Sequence, residues 1–289
     1  MQKQKRIAAV HDISCFGKCS LTVALPVISA AGIEVSCIPT AVLSTHTGGF
    51  TGYTYRDLTG DMLPIASHWK QLGLGFDAIY TGYLGSFEQL DIVSEIFDML
   101  AGGDTLVVVD PVMADDGRLY PSFSPDFPRG MRALCSAADV IVPNMTEAAL
   151  LLGEPYREGP YTREYIEELL SGLIELGPGR AVLTGVYFDG ESLGAACRDS
   201  RLAETKYVMS RKIPGSYHGT GDVFASALTS CLVTGLTPED SVRLAVEFTV
   251  GSIERTRRAG TDMRYGVNFE AGLADFIRDV NASARQRSD

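Results

Sequence analysis

Short apolar runs alternate with amphipathic stretches along most of the chain. The runs are continuously apolar, which is typical of parallel strands that are covered on both faces. They predict strands at residues 6–12, 34–39, 77–84, 104–112, 139–144 and 180–186. Apolar positions at helical spacing predict helices at residues 21–31, 61–72, 87–100, 146–152 and 163–176. This alternation predicts a layered α/β fold around a parallel sheet.

The last third of the chain follows a different pattern. Residues 192–199 and 204–214 have the pattern of antiparallel strands at one edge of the sheet. Helices are predicted from Val223, from Pro238 to Arg258 and from Phe269 to Ala284. Because no repeat, low-complexity tract or Ser/Pro-rich linker interrupts the pattern, we expect a single domain over residues 1–289.

Composition and charge exclude several classes of protein. Of the 289 residues, 45% are hydrophobic and 21% charged, as in globular proteins with a large core. A net charge of −11 argues against nucleic-acid partners, and no apolar stretch is long enough to span a membrane. The apolar run Ile7–Val10 is too short for a signal peptide. Scattered cysteines, with Cys15 and Cys19 as the closest pair, predict buried reduced thiols in a cytoplasmic protein.

The quartet Gly219-Thr220-Gly221-Asp222 stands directly before an apolar helical stripe. A loop that turns into a helix here has unpaired N–H groups and a partial positive charge, which suit a phosphate. The alternative is that Thr220 or Asp222 only caps the helix.

Polar residues end several of the predicted strands. They are Asp12, Thr81–Tyr83, Asp110, Asn144 and Thr184. Ligands of open parallel sheets bind beyond the carboxyl ends of the strands. With Glu147, the oxygens of Asp110 and Asn144 can hold Mg²⁺ directly or through water, and nucleotide phosphates can complete the shell. For any single acid, a local turn or cap is the alternative.

The common nucleotide and hydrolase motifs are absent from the sequence: Walker A, the kinase glycine loop, the dinucleotide fingerprint and the nucleophile elbow. A phosphoryl-transfer site at the quartet remains. The N–H groups of residues 219–222 would stabilise the transferring oxygens. Asp222 would accept the proton of a substrate hydroxyl as that oxygen attacks the γ-phosphate.

Five segments together resemble the ribokinase superfamily, most closely its pyridoxal (vitamin B6) kinase branch: "STHTG", "YTGYLGS", "DPVMADDG", "VPNMTEAALLLG" and "HGTGDVFASAL". The resemblance covers nearly the whole chain. It implies a three-layer α/β/α fold with a mostly parallel central sheet and a small lid at residues 39–60 or thereabouts. It also implies ATP- and Mg²⁺-dependent phosphorylation of the hydroxymethyl group of pyridoxal, pyridoxine or pyridoxamine, by a homodimer joined through the lid side.

Site residues carry over from this resemblance one by one. Asp222 is similar to the catalytic base of the family and Gly219–Gly221 to its anion hole. Asp110 and Glu147 match metal and phosphate positions. On the nucleotide side the resemblance implies three further residues, Asp115, Asn144 and Thr184.

On the vitamer side, Thr47 and Tyr83 match positions that contact or cover the pyridoxal ring. Cys19 would face the ring if the first loop matches, and a small buried hydrophobe is the alternative. His218, directly before the anion hole, is a candidate to line the pocket, whereas a structural role is favoured for His46.

The chain departs from the resemblance at Asp12, at Val142 and in "THTGGF", which has an extra Gly. Asp12 stands where pyridoxal kinases commonly have Ser, and its carboxylate can accept a hydrogen bond from a protonated ring nitrogen. An acid also occurs here in hydroxymethylpyrimidine kinases of thiamine synthesis, which are therefore the alternative enzymes. Val142 replaces a common Thr near a monovalent cation, so potassium activation stays open. A non-catalytic vitamer-binding protein is the third hypothesis, and the intact quartet argues against it.

Overall fold

The computed structural model describes residues 4–202 and 204–286. The strands within these residues are β1 (Arg6–Ser14), β2 (Glu34–Leu43), β3 (Tyr55–Asp57), β4 (Ala78–Thr81), β5 (Leu106–Val109), β6 (Ala114–Asp115), β7 (Arg118–Leu119), β8 (Val140–Ile141), β9 (Arg180–Val186), β10 (Ser192–Asp199) and β11 (Lys206–Arg211). The helices are α1 (Leu21–Ala30), α2 (Thr59–Gln71), α3 (Phe87–Leu100), α4 (Phe127–Ser136), α5 (Met145–Leu152), α6 (Arg163–Glu175), α7 (Thr220–Thr234), α8 (Pro238–Ala259) and α9 (Leu273–Gln286).

A mixed sheet runs through the middle of the described chain, in the strand order β11-β10-β9-β8-β5-β4-β1-β2-β3. The central pairs from β9 to β2 are all parallel, whereas β10, β11 and β3 are antiparallel additions at the two edges. Strands β6 and β7 form a separate hairpin. The predicted mostly parallel sheet with antiparallel strands at one end is confirmed.

Helices cover both faces of the sheet, because its central strands are apolar on both sides. One buried cluster joins the sheet to α2, α3, α4, α5 and α6. The second joins the opposite face to α1, α7, α8 and α9. The three-layer α/β/α architecture expected from the resemblance is therefore confirmed. None of the described helices has both the length and the apolar content of a membrane crossing.

The observed helix boundaries agree closely with those predicted from the periodicity where the sequence has a clear capping residue. Helix α3 matches its prediction residue for residue, and Ser86 caps it by accepting from the Gln89 N–H at 3.2 Å. The prediction missed α4, β3 and the β6–β7 hairpin, which are short or interrupted by Pro and Gly. Cys15 is exposed, so the prediction of buried thiols is wrong there, although all six cysteines are free.

Candidate active site

A cavity of about 920 Å³ lies beyond the carboxyl ends of the parallel strands. Every site residue expected from the sequence lines it: Asp12, Cys19, Thr47, Tyr83, Asp110, Asp115, Asn144, Glu147, Thr184, His218 and Gly219–Asp222. Chain segments more than 200 residues apart in sequence therefore meet in one place. The structure brings these residues together, and their individual roles stay predictions.

The glycine-rich quartet forms the entrance to α7. Gly219 occupies the N-cap position in the left-handed region, with φ 76°, and no side chain caps the helix. The Thr220 hydroxyl donates instead to the Tyr217 carbonyl at 3.1 Å. Thr220 is therefore not a cap, and Asp222 is the acid in the first turn of the helix, where a negative charge also stabilises the helix N-terminus. A Cβ at Gly221 would point into open space, so the helix entrance is open to a ligand.

Asp222 lies in the first turn of α7, at the wall of the cavity. Burial raises the pKa of its carboxyl to about 7, and the negative charge of Asp12 adds to the effect. The backbone N–H of Ser20 opposes the shift by donating to the carboxylate. A carboxyl with a pKa near neutrality is suited to accept and release a proton.

Asp110, directly after β5, and Glu147, in the first turn of α5, form a buried acidic pair. Burial, followed by the charges of Glu147 and Asp222, raises the pKa of Asp110 well above its usual range. Burial likewise raises the pKa of Glu147 to about 8. Asp110 accepts no side-chain hydrogen bond from any described residue, which leaves its oxygens available to a cation. Neighbouring buried carboxylates of this kind are stabilised by a bound cation.

Asn144 and Glu147 also organise the start of α5. The Asn144 side chain accepts from the N–H groups of Thr146 and Glu147, both at 2.9 Å. In return, Glu147 accepts from the Asn144 N–H at 2.9 Å, which completes a capping box. Glu147 further accepts from the Met113 N–H at 3.1 Å. The "PN-x-x-E" pattern therefore has a structural role that the sequence analysis did not assign.

Asp12 lies at the end of β1 and is buried. Its two carboxylate oxygens accept from the hydroxyls of Ser14, at 2.9 Å, and Ser20. Burial raises the pKa of Asp12, and both hydroxyls oppose that shift. Because no cationic side chain faces it among the described residues, Asp12 is free to bind a ligand that carries a hydrogen-bond donor or a positive charge.

The predicted lid, residues 39–60, includes the end of β2, the loop of residues 44–54, β3 and the start of α2, and its role as a lid stays a prediction. His46 anchors the loop, because its Nδ1 accepts from the Gly48 N–H at 3.1 Å while its Nε2 lies 2.6 Å from the Arg264 carbonyl oxygen. These partners require the tautomer in which Nε2 donates. The Phe50 ring stacks on Tyr265 on the same side. The structural role favoured for His46 is consistent with these contacts, and its ring also lines the cavity beside His218.

The sequence profile of the phosphomethylpyrimidine kinase family matches residues 25–267. The chain belongs to this family. A crystal structure with pyridoxal, of a Bacteroides thetaiotaomicron protein provisionally named a phosphomethylpyrimidine kinase, is 39% identical with a TM-score of 0.90, covering 95% of this chain and 96% of that one. Pyridoxal kinase from Lactobacillus plantarum is 33% identical with a TM-score of 0.87, covering 95% and 97%. Pyridoxal kinase PdxY of Rubrobacter xylanophilus is 27% identical over 88% of each chain.

One side of the cavity of this kinase has no recognisable signal in the sequence. That side is an apolar slot lined by Leu193–Ala195 of β10 and by Val246, Thr249, Val250 and Ile253 of α8. The α8 residues recur at helical spacing, which in the sequence is indistinguishable from an ordinary core face. Only the tertiary packing of α8 against β10 reveals that part of this face borders a cavity.

The charge of the cavity is one-sided. Five carboxylates line it, those of Asp12, Asp110, Asp115, Glu147 and Asp222. No Lys or Arg is among the described residues that line it. A polyphosphate can occupy such a cavity only together with cations that neutralise the combined negative charge.

Proposed function

We propose that this kinase transfers the γ-phosphoryl group of ATP to the hydroxymethyl group of a B6 vitamer: pyridoxal, pyridoxine or pyridoxamine. The observation that carries the proposal is the meeting of three features in one cavity. They are the open helix entrance at Gly219–Gly221, the Asp222 carboxyl beside it and the buried Asp12 carboxylate on the lid side. The similar solved structure that contains pyridoxal supports the choice of acceptor.

The acceptor would lie on the lid side of the cavity. The walls there come from Asp12, Thr47, Tyr83 and His218, with Cys19 at the first loop. An aromatic ring fits between the lid and the strand ends, and Asp12 would accept a hydrogen bond from its protonated nitrogen. The hydroxymethyl group would then point towards Asp222.

ATP would lie on the opposite side. The apolar slot between β10 and α8 suits the flat face of a purine base. From there the triphosphate would pass Thr184, Asn144 and Asp115 and end at the α7 entrance. The N–H groups of that entrance would bind the transferring oxygens, where they stabilise negative charge as it develops.

Magnesium fits the acidic pair. Within residues 4–202 and 204–286 no cluster of three or more His, Cys, Asp or Glu side chains could hold a metal ion by itself. Asp110 would bind Mg²⁺ directly, because its oxygens accept no hydrogen bond from the described residues. Glu147 would bind it through water, because its oxygens already accept backbone N–H groups. When bound, Mg²⁺ neutralises phosphate charge during phosphoryl transfer. With Val142 in the cavity wall, a requirement for potassium is not part of the proposal.

The protein's own residues would then carry out the transfer. Asp222 would accept the hydroxyl proton as the hydroxymethyl oxygen forms its bond to the γ-phosphorus and the bond to the β-phosphate oxygen breaks. The lid would exclude water, so that the acceptor rather than water is phosphorylated. The products would be the vitamer 5′-phosphate and ADP.

The assembly and its location belong to the same proposal. We expect a single-domain chain that forms a cytoplasmic homodimer through the lid side of the sheet. There the edge strand β3 carries exposed residues, among them Tyr55, which is 47% exposed. Light scattering of the purified protein would measure the oligomeric state.

Hydroxymethylpyrimidine is the second candidate acceptor. The family profile and the carboxylate of Asp12 favour it, since an amino-substituted pyrimidine also offers a donor to an acid. A coupled phosphorylation assay that compares the three B6 vitamers with hydroxymethylpyrimidine tests the choice. We expect the highest kcat/KM with a B6 vitamer, and a higher value with hydroxymethylpyrimidine would overturn the proposed acceptor.

A further inference from the structure

The loop between β1 and α1 is held in an unusual backbone conformation. Gly17, Lys18 and Ser20 all have positive φ, at 111°, 52° and 56°. For an L-residue such as Ser20 this region is unfavourable, and glycine is the residue that adopts it without strain. Strained non-glycine positions tend to occur where function requires a particular side chain.

The Ser20 hydroxyl has a specific partner. Ser20 immediately precedes α1, where serine is a favoured capping residue, but its side chain does not cap the helix. The buried hydroxyl donates to Asp12 instead. The Ser20 side chain therefore does not cap α1 and contacts a buried carboxylate in the cavity wall instead.

The backbone of Ser20 faces a second carboxylate. Ser20 and Asp222 line the same cavity, and the Ser20 N–H lies close enough to lower the pKa of Asp222, the acid proposed to accept the substrate proton. The same loop also packs against the anion hole, because a Cβ at Gly219 would collide with the Lys18 carbonyl oxygen. One residue thus contacts both the acid on the acceptor side and the acid at the helix entrance.

We propose that Ser20 is a positioning residue that links the recognition of the acceptor ring at Asp12 to the placement of Asp222. The hydroxyl bond to Asp12 holds Ser20 in its left-handed conformation, and that conformation aims the N–H at Asp222. When Asp12 is held by a bound ring, the link keeps the proton acceptor in position for the hydroxymethyl group. The inference rests on the proposed function, because it assumes that the acceptor binds at Asp12.

Two substitutions at Ser20 and one matched control test the link. Ser20→Ala and Ser20→Gly both remove the hydroxyl, and the glycine also removes the backbone strain. Ser14→Ala removes the other hydroxyl that donates to Asp12 and leaves the contact between Ser20 and Asp222 intact. We expect kcat to fall about tenfold in both Ser20 variants, corresponding to about 1.4 kcal/mol, with the KM for ATP nearly unchanged. Ser14→Ala should raise the KM for the acceptor without lowering kcat.

Melting temperatures and a double variant at Asp12 and Ser20 distinguish a positioning role of Ser20 from a role in folding. Ser20→Gly should melt higher than Ser20→Ala, because both variants lose the hydroxyl and only glycine adopts this conformation without strain, yet both should lose activity. In an Asp12→Ala background, Ser20→Ala should lower kcat by less than twofold, since the hydroxyl no longer has its partner. Wild-type kcat in both Ser20 variants, or the full tenfold loss without Asp12, would overturn the inference.

The assays use whichever hydroxymethyl acceptor the wild-type kinase phosphorylates best. A wild type that phosphorylates hydroxymethylpyrimidine and no B6 vitamer would refute the proposed acceptor. The Ser20 variants would then be measured with hydroxymethylpyrimidine, and the same kcat and coupling criteria would decide the inference.

Discussion

At the scale of single residues, the proposed phosphoryl transfer depends most on Asp222 and on the glycines before it. In this position an acid could serve the helix or the substrate, because Asp222 lies both in the first turn of α7 and at the wall of the cavity. The pKa of about 7 then reflects a carboxyl that is desolvated at the wall of a cavity. Loss of a cap would lower stability, whereas loss of a base would lower the rate.

We predict that Asp222→Asn lowers kcat by roughly a hundredfold or more, the low end of the range for loss of a general base. The amide keeps the size of the side chain but cannot accept the proton. Melting temperature should stay within a few degrees of wild type, with ATP and acceptor still bound. Asp61→Asn, an acid in the first turn of α2, is the matched control and should keep full activity. An Asp222→Asn enzyme with near-normal kcat would refute the role as base.

A second prediction concerns Gly221. In Gly221→Ala the added methyl group would project into open space at the helix entrance, where the phosphate is proposed to bind. Alanine favours the helix by about 0.5–1 kcal/mol relative to glycine, so the variant should melt no lower than wild type. Its kcat/KM for ATP should nevertheless fall at least tenfold. Gly60→Ala in α2, where the added methyl group also meets no neighbour, should not reduce activity. Full activity in Gly221→Ala would exclude phosphate binding at this entrance.

Among the elements, β1 connects the core of the sheet to the site. Its buried core positions fix the register with β2 and β4, and its last residues enter the cavity. His11, next to Asp12, is fully buried beside the Tyr80 ring. Both of its ring nitrogens lack a hydrogen-bond partner of good geometry within the described chain. The strand therefore contains an ionisable group that the folded state keeps neutral.

Because it contains His11, β1 should make the free energy of unfolding decrease as the pH falls. Burial lowers the pKa of His11 to about 3, below its ordinary value of 6.5. The unfolded chain therefore binds a proton that the folded chain excludes, and the stability present above pH 6.5 is lost as the pH falls towards 3. The expected loss is about 1.4 kcal/mol per pH unit. Urea unfolding of wild type and His11→Leu between pH 7 and 5 should show a shallower decline in the variant. Equal slopes would mean that His11 is not the group responsible.

At the scale of the whole molecule, the chain has a net charge of −11, and five carboxylates line the cavity where a nucleotide is proposed to bind. Phosphate-binding sites usually rely on Lys or Arg, and here the described cavity wall contains neither. Positive charge must therefore come from the α7 entrance and from bound cations. We therefore expect activity to depend strongly on a bound metal, and we expect the same negative charge to limit which acceptors bind.

Asp110→Ala should raise the Mg²⁺ concentration for half-maximal activity at least tenfold, as expected from the loss of roughly 1.4 kcal/mol of metal binding. The reason is that the Asp110 carboxylate accepts no hydrogen bond from the described residues, whereas the Glu147 carboxylate already accepts backbone N–H groups. Asp98→Ala, an exposed acid on α3, serves as the control and should not change the magnesium response. An unchanged response in Asp110→Ala would remove this residue from the metal site.

An acceptor that already carries a phosphate should be a poor substrate. Its dianion would face Asp12 and Asp222 without a basic side chain, and such like-charge contacts cost several kcal/mol. We expect kcat/KM for phosphomethylpyrimidine to be at least a hundredfold lower than for the best hydroxymethyl acceptor, a difference of about 3 kcal/mol. The coupled assay measures both. Comparable values would show that cations alone neutralise the second phosphate.

The sequence determined the parts of this protein that depend on local pattern. Continuous apolar runs specify buried parallel strands, so polar residues at their ends, such as Asp110 and Asn144, could be placed at one edge of the sheet. The Gly219–Asp222 quartet was recognisable because glycines before an apolar stripe mark a helix entrance. The resemblance then supplied the candidate roles of residues such as Thr47, which periodicity alone does not distinguish.

The tertiary structure alone decided the contacts between distant segments. Ser20 lines the same cavity as Asp222, about 200 residues away in sequence, and α8 forms the apolar slot only because it packs against β10. In the sequence both look ordinary, a serine before a helix and an amphipathic stripe. The physical reason is that period and propensity report whether a residue is buried, whereas the identity of its neighbour depends on how the layers pack. Burial next to another carboxylate, rather than residue type, also raised the pKa of Asp222.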